Sequence, residues 1–452
     1  MTRLRLVDWL ALVAKNREFS EWKRSLTPTS LLCALFFFAA LLLANGSAAP
    51  EASENWPHWR GPNDNGSTSQ GSYPVRWDAT NVLWKAPLPG KGCSTPVVWD
   101  KRLFLTAPVN GQDAALAFDW QGKVLWQRTL GAETPGKSKL SSGCNSSPVT
   151  DGVSIFVFFN SATLAALDWE GKVRWQTNTV TAFGPERLYW DRGTSPVLTE
   201  KAVIIARMHH GDSWLAAFDK TSGRLDWKVP RNFQTPEEDD NAYTTPLVLR
   251  EQGGETVVVW GADHLTAHAA VDGRLLWSCG DFNPQSIPHY PAGGSPVIAA
   301  GFLIVPCHEA QGTRPELDGI RLGGTGGVSA PHRAWRQQKT TADVPTPAEY
   351  NGRVYVLGDR GEVECLDPAT GESLWKHALP KASASYFASP VVAGGKLYAA
   401  REDGVVFVAQ VQDKFEVLAE NRMGEQVIAS PVAVANRLFI RGERHLFCIA
   451  AK

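Results

Sequence analysis

No two of the seven cysteines are adjacent, and none stands in a Cys-x-x-Cys or Cys-x-x-Cys-His arrangement. The spacings that mark a zinc site, a haem attachment or a redox motif are therefore missing. Surplus charge is missing too: 45 Lys and Arg stand against 46 Asp and Glu, a formal net charge of −1 over 452 residues. Removing the N-terminal 48 residues would make the remainder more acidic, so the chain lacks the basic face that a nucleic-acid partner needs. Its apolar run, residues 31–44, is too short to cross a bilayer comfortably. Methionine is scarce at 3, whereas 18 Trp, 40 Gly and 29 Pro point to many strands joined by tight turns.

The apolar run reads as the core of a secretory signal over residues 1–48. Arg17, Lys23 and Arg24 precede it, and the small residues Gly46, Ser47, Ala48 and Ala49 follow. Cleavage near Ala48 or Ala49 predicts an exported chain, in the periplasm or at the surface of a bacterium, with no transmembrane span. Cys33 follows Ser30-Leu31-Leu32 inside the run, which is not the setting of an acylated lipoprotein cysteine. Export permits a disulfide. Cys93 and Cys144 precede the same Pro in consecutive repeats and can meet in space, either as a disulfide or, the favoured reading, as two free thiols. Cys365 and Cys448 occupy a repeat position where other repeats carry Ala, and are expected to be buried.

The repeat decides the fold. Ser or Thr precedes Pro at Thr95-Pro96, Ser147-Pro148, Ser195-Pro196, Thr245-Pro246, Ser295-Pro296, Thr346-Pro347, Ser389-Pro390 and Ser430-Pro431, at intervals of 41 to 52 residues. That is the period of a propeller blade. Each Pro opens a short apolar strand, where its missing N–H is tolerated. Asp119, Asp168, Asp219, Asp272 and Asp367 begin turns that Gly122, Gly171, Gly223, Gly273 and Gly371 complete, and a Trp follows each at Trp126, Trp175, Trp227, Trp277 and Trp375. The aspartates read as turn formers and the tryptophans as wedges between neighbouring blades. The last repeat stops after its third strand, while Val82-Leu83-Trp84-Lys85 near the N-terminus is a Trp strand without predecessors. An all-β, eight-bladed β-propeller of four-stranded blades follows, its ring closed by the N-terminal strand. Residues 81–452 are assigned to it, and residues 49–80 to a segment packing on it.

These Ala-x-Asp-x-x-x-Gly-x-x-x-Trp units, with their Ser-Pro-Val strand starts, resemble the pyrroloquinoline-quinone (PQQ)-type repeats of quinoprotein dehydrogenases and of the outer-membrane assembly protein BamB. The resemblance runs from Trp84 to Ile449. Trp56-Pro57-His58-Trp59-Arg60-Gly61-Pro62 is similar to the start of a group of exported bacterial propellers described as PQQ-binding-like or BamB-like. The dehydrogenase resemblance implies PQQ with Ca²⁺ and an adjacent Cys pair, which this chain does not have. The BamB resemblance implies a binding scaffold, although no cysteine lies between Ala44 and Cys93 to be acylated.

A site is expected where the repeats differ most, in the residues just before each first strand. Trp190, Asp191, Arg192, Asp240, Asn241, Tyr243, His289, Tyr290, Tyr386 and Phe387 form that set, with Arg192 suited to a carboxylate or phosphate and the aromatics to stacking. Glu238, Asp239 and Asp240 read as a solvated acidic loop rather than a Ca²⁺ site. His209, His210, His264, His268, His289, His308 and His332 show no metal spacing. Gly323-Gly324-Thr325-Gly326-Gly327 reads as an enlarged hairpin turn, since no helix-plus-Lys pattern follows it. No residue is assigned a catalytic or metal-ligating role. The reading is a scaffold for a protein, small-molecule or polysaccharide ligand, with a PQQ-dependent dehydrogenase as the alternative.

Overall fold

The computed structural model describes residues 54–451 apart from 252, 308–315, 339, 341 and 413, so the expected signal over residues 1–48 and His308 lie outside the described residues. Eight antiparallel sheets account for nearly all regular structure. Seven follow in chain order, over residues 97–132, 149–178, 197–230, 247–279, 297–338, 348–378 and 391–422. The eighth joins residues 432–450 to the strand Val82–Pro87, with Lys85 opposite Phe447 and Ala86 opposite Leu446. The protein is an eight-bladed β-propeller closed by its N-terminal strand. Among the described residues only two short helices occur, Thr179–Phe183 and Ser329–His332.

Each inner strand is covered on both faces by neighbouring blades, which is why Ala202–Arg207 and Thr163–Leu167 are buried at every position. The outer strands, such as Leu225–Pro230, keep one face in water and alternate. Cys365 and Cys448 lie in the core, fully buried.

Blades dock through the repeated turn. The Asp168 carboxylate accepts from the Glu170 and Lys172 amides at 3.1 and 2.8 Å, which forces Gly171 into a positive φ of 77°. The Trp126 indole from the preceding blade then lies so close that a Cβ on Gly171 would sit 2.5 Å from it. Its Nε1 donates to the Trp169 carbonyl at 2.8 Å. The same contact joins Trp84 to Gly122, Trp175 to Gly223, Trp227 to Gly273 and Trp335 to Gly371. Trp277 departs from the pattern. Its strand instead pairs in parallel with Gly326–Gly327, so the glycine-rich turn of the fifth blade is a latch onto the fourth.

The Ser or Thr before each Pro makes a second link. The amide of Thr95 donates to Ser147 Oγ at 2.9 Å, Ser147 to Ser195 at 2.9 Å, and Ser195 to Thr245 at 3.0 Å. Thr245 continues to Ser295, Ser295 to Thr346, Thr346 to Ser389 and Ser389 to Ser430. Ser430 returns to Thr95 at 3.2 Å. Eight hydrogen bonds thus close head to tail around the axis. Pro cannot supply an amide, so the residue before it carries both the donor and the acceptor.

Residues 54–81 cross the far end of this ring. Trp56 bridges to Val98 of the first blade, Asn65 and Gly66 accept from Glu349 and Val392, and Ser67–Thr68 pairs with Val392 and Ala393 of the seventh. Tyr73 reaches the Ala433 carbonyl at 3.4 Å. Arg60 is buried on the way, donating to the carbonyls of Pro390 and Pro347 at 3.1 and 2.9 Å. Burial pulls its guanidinium down to about 9, against a smaller opposing pull from the Asp64 carboxylate.

One buried acid links the first two blades. Asp113 has no exposure, accepts from Ser161 Oγ at 2.6 Å, and is pushed up to about 7 by burial. A folded value above the unfolded one means that the folded state holds the proton more tightly. The acid's contribution is therefore full below about pH 4 and is lost as pH rises to about 7. Asp113→Asn removes the charge, so its stability relative to the parent is expected to climb between about pH 4 and pH 7 and then level off. Urea midpoints that differ by a constant across that range would refute this.

Candidate functional site

The segments preceding the eight first strands converge on one end of the axis. They enclose a cup of about 440 Å³, and every blade contributes to its wall. That volume lies in the ordinary range for small-molecule sites. Thr95, Ser147, Ser195, Ser389 and Ser430 of the hydroxyl ring line it, and Trp59 of the N-terminal segment enters from below. The Trp59 Nε1 donates to Ser430 Oγ at 3.3 Å, which fixes the indole beneath the ring. The channel is consequently blind, since residues 54–81 obstruct its other end.

Four of the ten residues expected from the sequence lie together in this cup: Trp190, Asp191, Tyr243 and Phe387. Trp190 is half exposed, and its amide donates to the Tyr243 hydroxyl at 3.1 Å, so the two aromatics from neighbouring blades are held as a pair. Burial pushes the Tyr243 phenol up to about 12. The Asp191 carboxylate is largely spent internally. It accepts from the Lys137 amide at 2.7 Å, from Ser141 Oγ at 2.5 Å and from Asn160 Nδ2 at 3.0 Å.

The other six lie elsewhere. Arg192 turns away from the cup, buried over the Phe158 ring at 4.0 Å and ion-paired with Glu186, so its guanidinium is already engaged. Asn241 is buried and accepts from the Tyr189 amide at 3.2 Å. Asp240 pairs with His210 at 2.9 Å, and His289 with Glu238 at 3.0 Å, both at the rim. Tyr290 and Tyr386 are buried in the blades. The acidic stretch differs from the solvated loop expected. Asp239 is fully buried, accepting from the Tyr290 amide at 2.5 Å and Asn283 Nδ2 at 2.8 Å, and burial pushes it up to about 6. It ties the fourth blade's entry segment to the fifth's.

Sequence reasoning passed over Trp59 and the ring hydroxyls as site residues. The signal was available: a hydroxyl residue stands before Pro in all eight repeats, although Pro alone would start the strand. Cys93 also lines the cup. Its amide donates to the Cys144 carbonyl at 3.1 Å, yet both are free thiols, and burial pushes Cys93 up to about 11. Among the described residues no group of three or more His, Cys, Asp or Glu is placed to hold a metal ion, and no helix is long and apolar enough to cross a membrane.

Comparison with known proteins bears on this arrangement. A BamB from Marinobacter adhaerens is 30% identical over 87 residues, 19% of this chain and 21% of that one, so the match spans about a fifth of the relative's length. The crystal structure of BamB from Moraxella catarrhalis shares the fold with a TM-score of 0.55 at 16% identity, covering 76% of this chain and 95% of that one. A europium-containing methanol dehydrogenase shares it at 0.62 and 11% identity, covering 88% and 98%. The family described as outer membrane protein assembly factor BamB matches residues 75–236 and 326–414, more than half of the chain, and the chain belongs to that family of PQQ-like propellers.

Proposed function

We propose that this propeller is an exported binding scaffold that recognises a partner or ligand in the blind cup at its channel mouth. The observation that supports this is the cup's chemistry. Aromatic and hydroxyl groups from six of the eight blades converge on a rigid ring, the fifth and sixth adding Gly293 and Val344, while the lining holds no Lys, Arg or His side chain. Asp191 is occupied by three donors. Cys93, with its thiol held well above neutral pH, stays protonated and is a poor nucleophile. The hydroxyl that meets a carboxylate there, Ser141 on Asp191, shares that carboxylate with the Lys137 amide and Asn160, and no His stands in the lining to take its proton.

The quinone alternative meets the same chemistry. PQQ carries three carboxylates, which call for cationic partners, and Ca²⁺ calls for several oxygen ligands of which acids are the strongest. A lining without a cation, whose one carboxylate is already bonded, does not fit that group. The fold shared with a methanol dehydrogenase at 11% identity carries no function with it.

Trp190→Ala and Tyr243→Ala are the test. Both residues line the cup, and Trp190 is half exposed, so its variant is expected to melt within a few degrees of the parent. Capture experiments on extracts of the native cell should lose the retained partner with either variant. Retention of every partner by both, in normally folded protein, would move the site away from the cup.

A further inference from the structure

Resting on the cup as the recognition site, we infer that its ligand is an uncharged saccharide, taken as a terminal or exposed pyranose ring. Three ligand classes can be set against the same wall. The first is an anion such as a carboxylate or phosphate. It finds no Lys, Arg or His side chain in the lining, and it meets the negative charge of Asp191. The second is an apolar aromatic, such as a partner's side chain. It would pack against Trp190, Tyr243 and Phe387 but would also cover the hydroxyl ring. Each ring hydroxyl accepts one backbone amide and, among the described residues, donates to no protein group, so its proton is unspent. Five of these hydroxyls line the cup, and an apolar guest would strip water from all of them without replacing a single hydrogen bond.

The third class satisfies both halves of the wall. A pyranose has an apolar C–H face that lies against an aromatic ring and a rim of hydroxyls, each both donor and acceptor. Thr95, Ser147, Ser195 and Ser389 are donors with a lone pair remaining, so they match that rim in either direction, while Ser430, which already accepts from Ser389 and Trp59, can only donate to it. Trp59 below, and Trp190 and Phe387 at the sides, supply flat apolar surfaces. The surfaces are also fixed before binding, because Trp59 is bonded to Ser430 and the Trp190 backbone to Tyr243. A preformed wall limits the ordering lost when a small ligand binds.

The experiment uses the full chain, with glucose, maltose, cellobiose and N,N′-diacetylchitobiose as neutral probes, and gluconate and indole as charged and apolar ones. Binding is read by tryptophan emission and by saturation-transfer NMR. Saturable binding of at least one neutral saccharide is expected, weakened about tenfold or more by Trp190→Ala and by Phe387→Ala. It should be unchanged by Val271→Ser, at an exposed hairpin turn remote from the cup. Gluconate or indole binding as tightly as the best saccharide, and lost in Trp190→Ala, would overturn the ligand class while leaving the cup as the site. Failure of all four saccharides to saturate would overturn it as well, and the partner-capture comparison then decides independently whether the cup itself stands.

Discussion

A chain beginning after Lys85 is expected to melt about 10 °C or more below the parent, or to lose its cooperative transition. Three losses coincide. Residues 82–85 of the strand Val82–Pro87 leave the eighth blade, so Phe447, Cys448 and Ile449 become an unpaired edge. The indole of Trp84 leaves Gly122, together with its 3.0 Å bond to the Trp120 carbonyl. Trp56 and Tyr73, buried to 0% and 2% exposure, are removed from the far end of the axis. Emptying a site the size of Trp56 alone is worth about 3–5 kcal/mol on the scale of large-to-small core changes. A ring also differs from an open sheet stack, because one missing blade contact frees both of its neighbours. Calorimetry of the truncated and full chains checks this, and a melt within a few degrees of the parent would mean that the ring is held without its closing strand.

The second large effect separates two reasons for one glycine. Gly171 and Gly111 have nearly the same positive φ, 77° and 73°, but the space around them differs. Trp126 lies 2.5 Å from the place a Cβ would take on Gly171, whereas nothing lies within 4 Å at Gly111. Gly111→Ala is therefore expected to cost only the left-handed backbone term, about 1–2 kcal/mol. Gly171→Ala adds a collision with a wedged indole, about 1–3 kcal/mol more, because Trp126 cannot retreat without leaving its carbonyl partner. Urea midpoints at constant slope measure the difference. Equal losses at the two positions would show that the turn conformation, and not the neighbouring blade, demands glycine there.

The blade count, the turn aspartates, the wedge tryptophans Trp126, Trp175 and Trp227 and the closure through Trp84 were legible in the sequence, because each is a local pattern repeated at fixed offset, whereas Trp277, expected to wedge likewise, lies on a strand that pairs with Gly326–Gly327 instead. Repetition turns a weak local signal into a strong one. The site was less legible for the opposite reason. Arg192 looked like a reader of anions because its charge stands at the channel end of a blade, but it lies in the loop ahead of the strand Val197–Leu198, where no strand period tells which way a side chain turns. Trp190 and Asp191 both face the cup, while Arg192 turns inward to Glu186. Asp239 sits between two other acids and so looked solvated, although a single turn places it beneath the next blade's amide. Trp59 lies outside the repeats, and its approach to the axis depends on how residues 54–81 cross the ring, which no spacing encodes.

The obstruction of the far end also gives the molecule a direction. Asn55 meets the turn after the first strand of the first blade, its side chain accepting from the Asp100 amide at 2.9 Å. A first strand runs from the cup to that turn, so residues 54 and 55 stand on the face opposite the cup. The two faces of the ring are therefore unlike, one carrying the cup and the other crossed by residues 54–68, so a guest held in the cup and a contact made by the opposite face would not compete for the same surface.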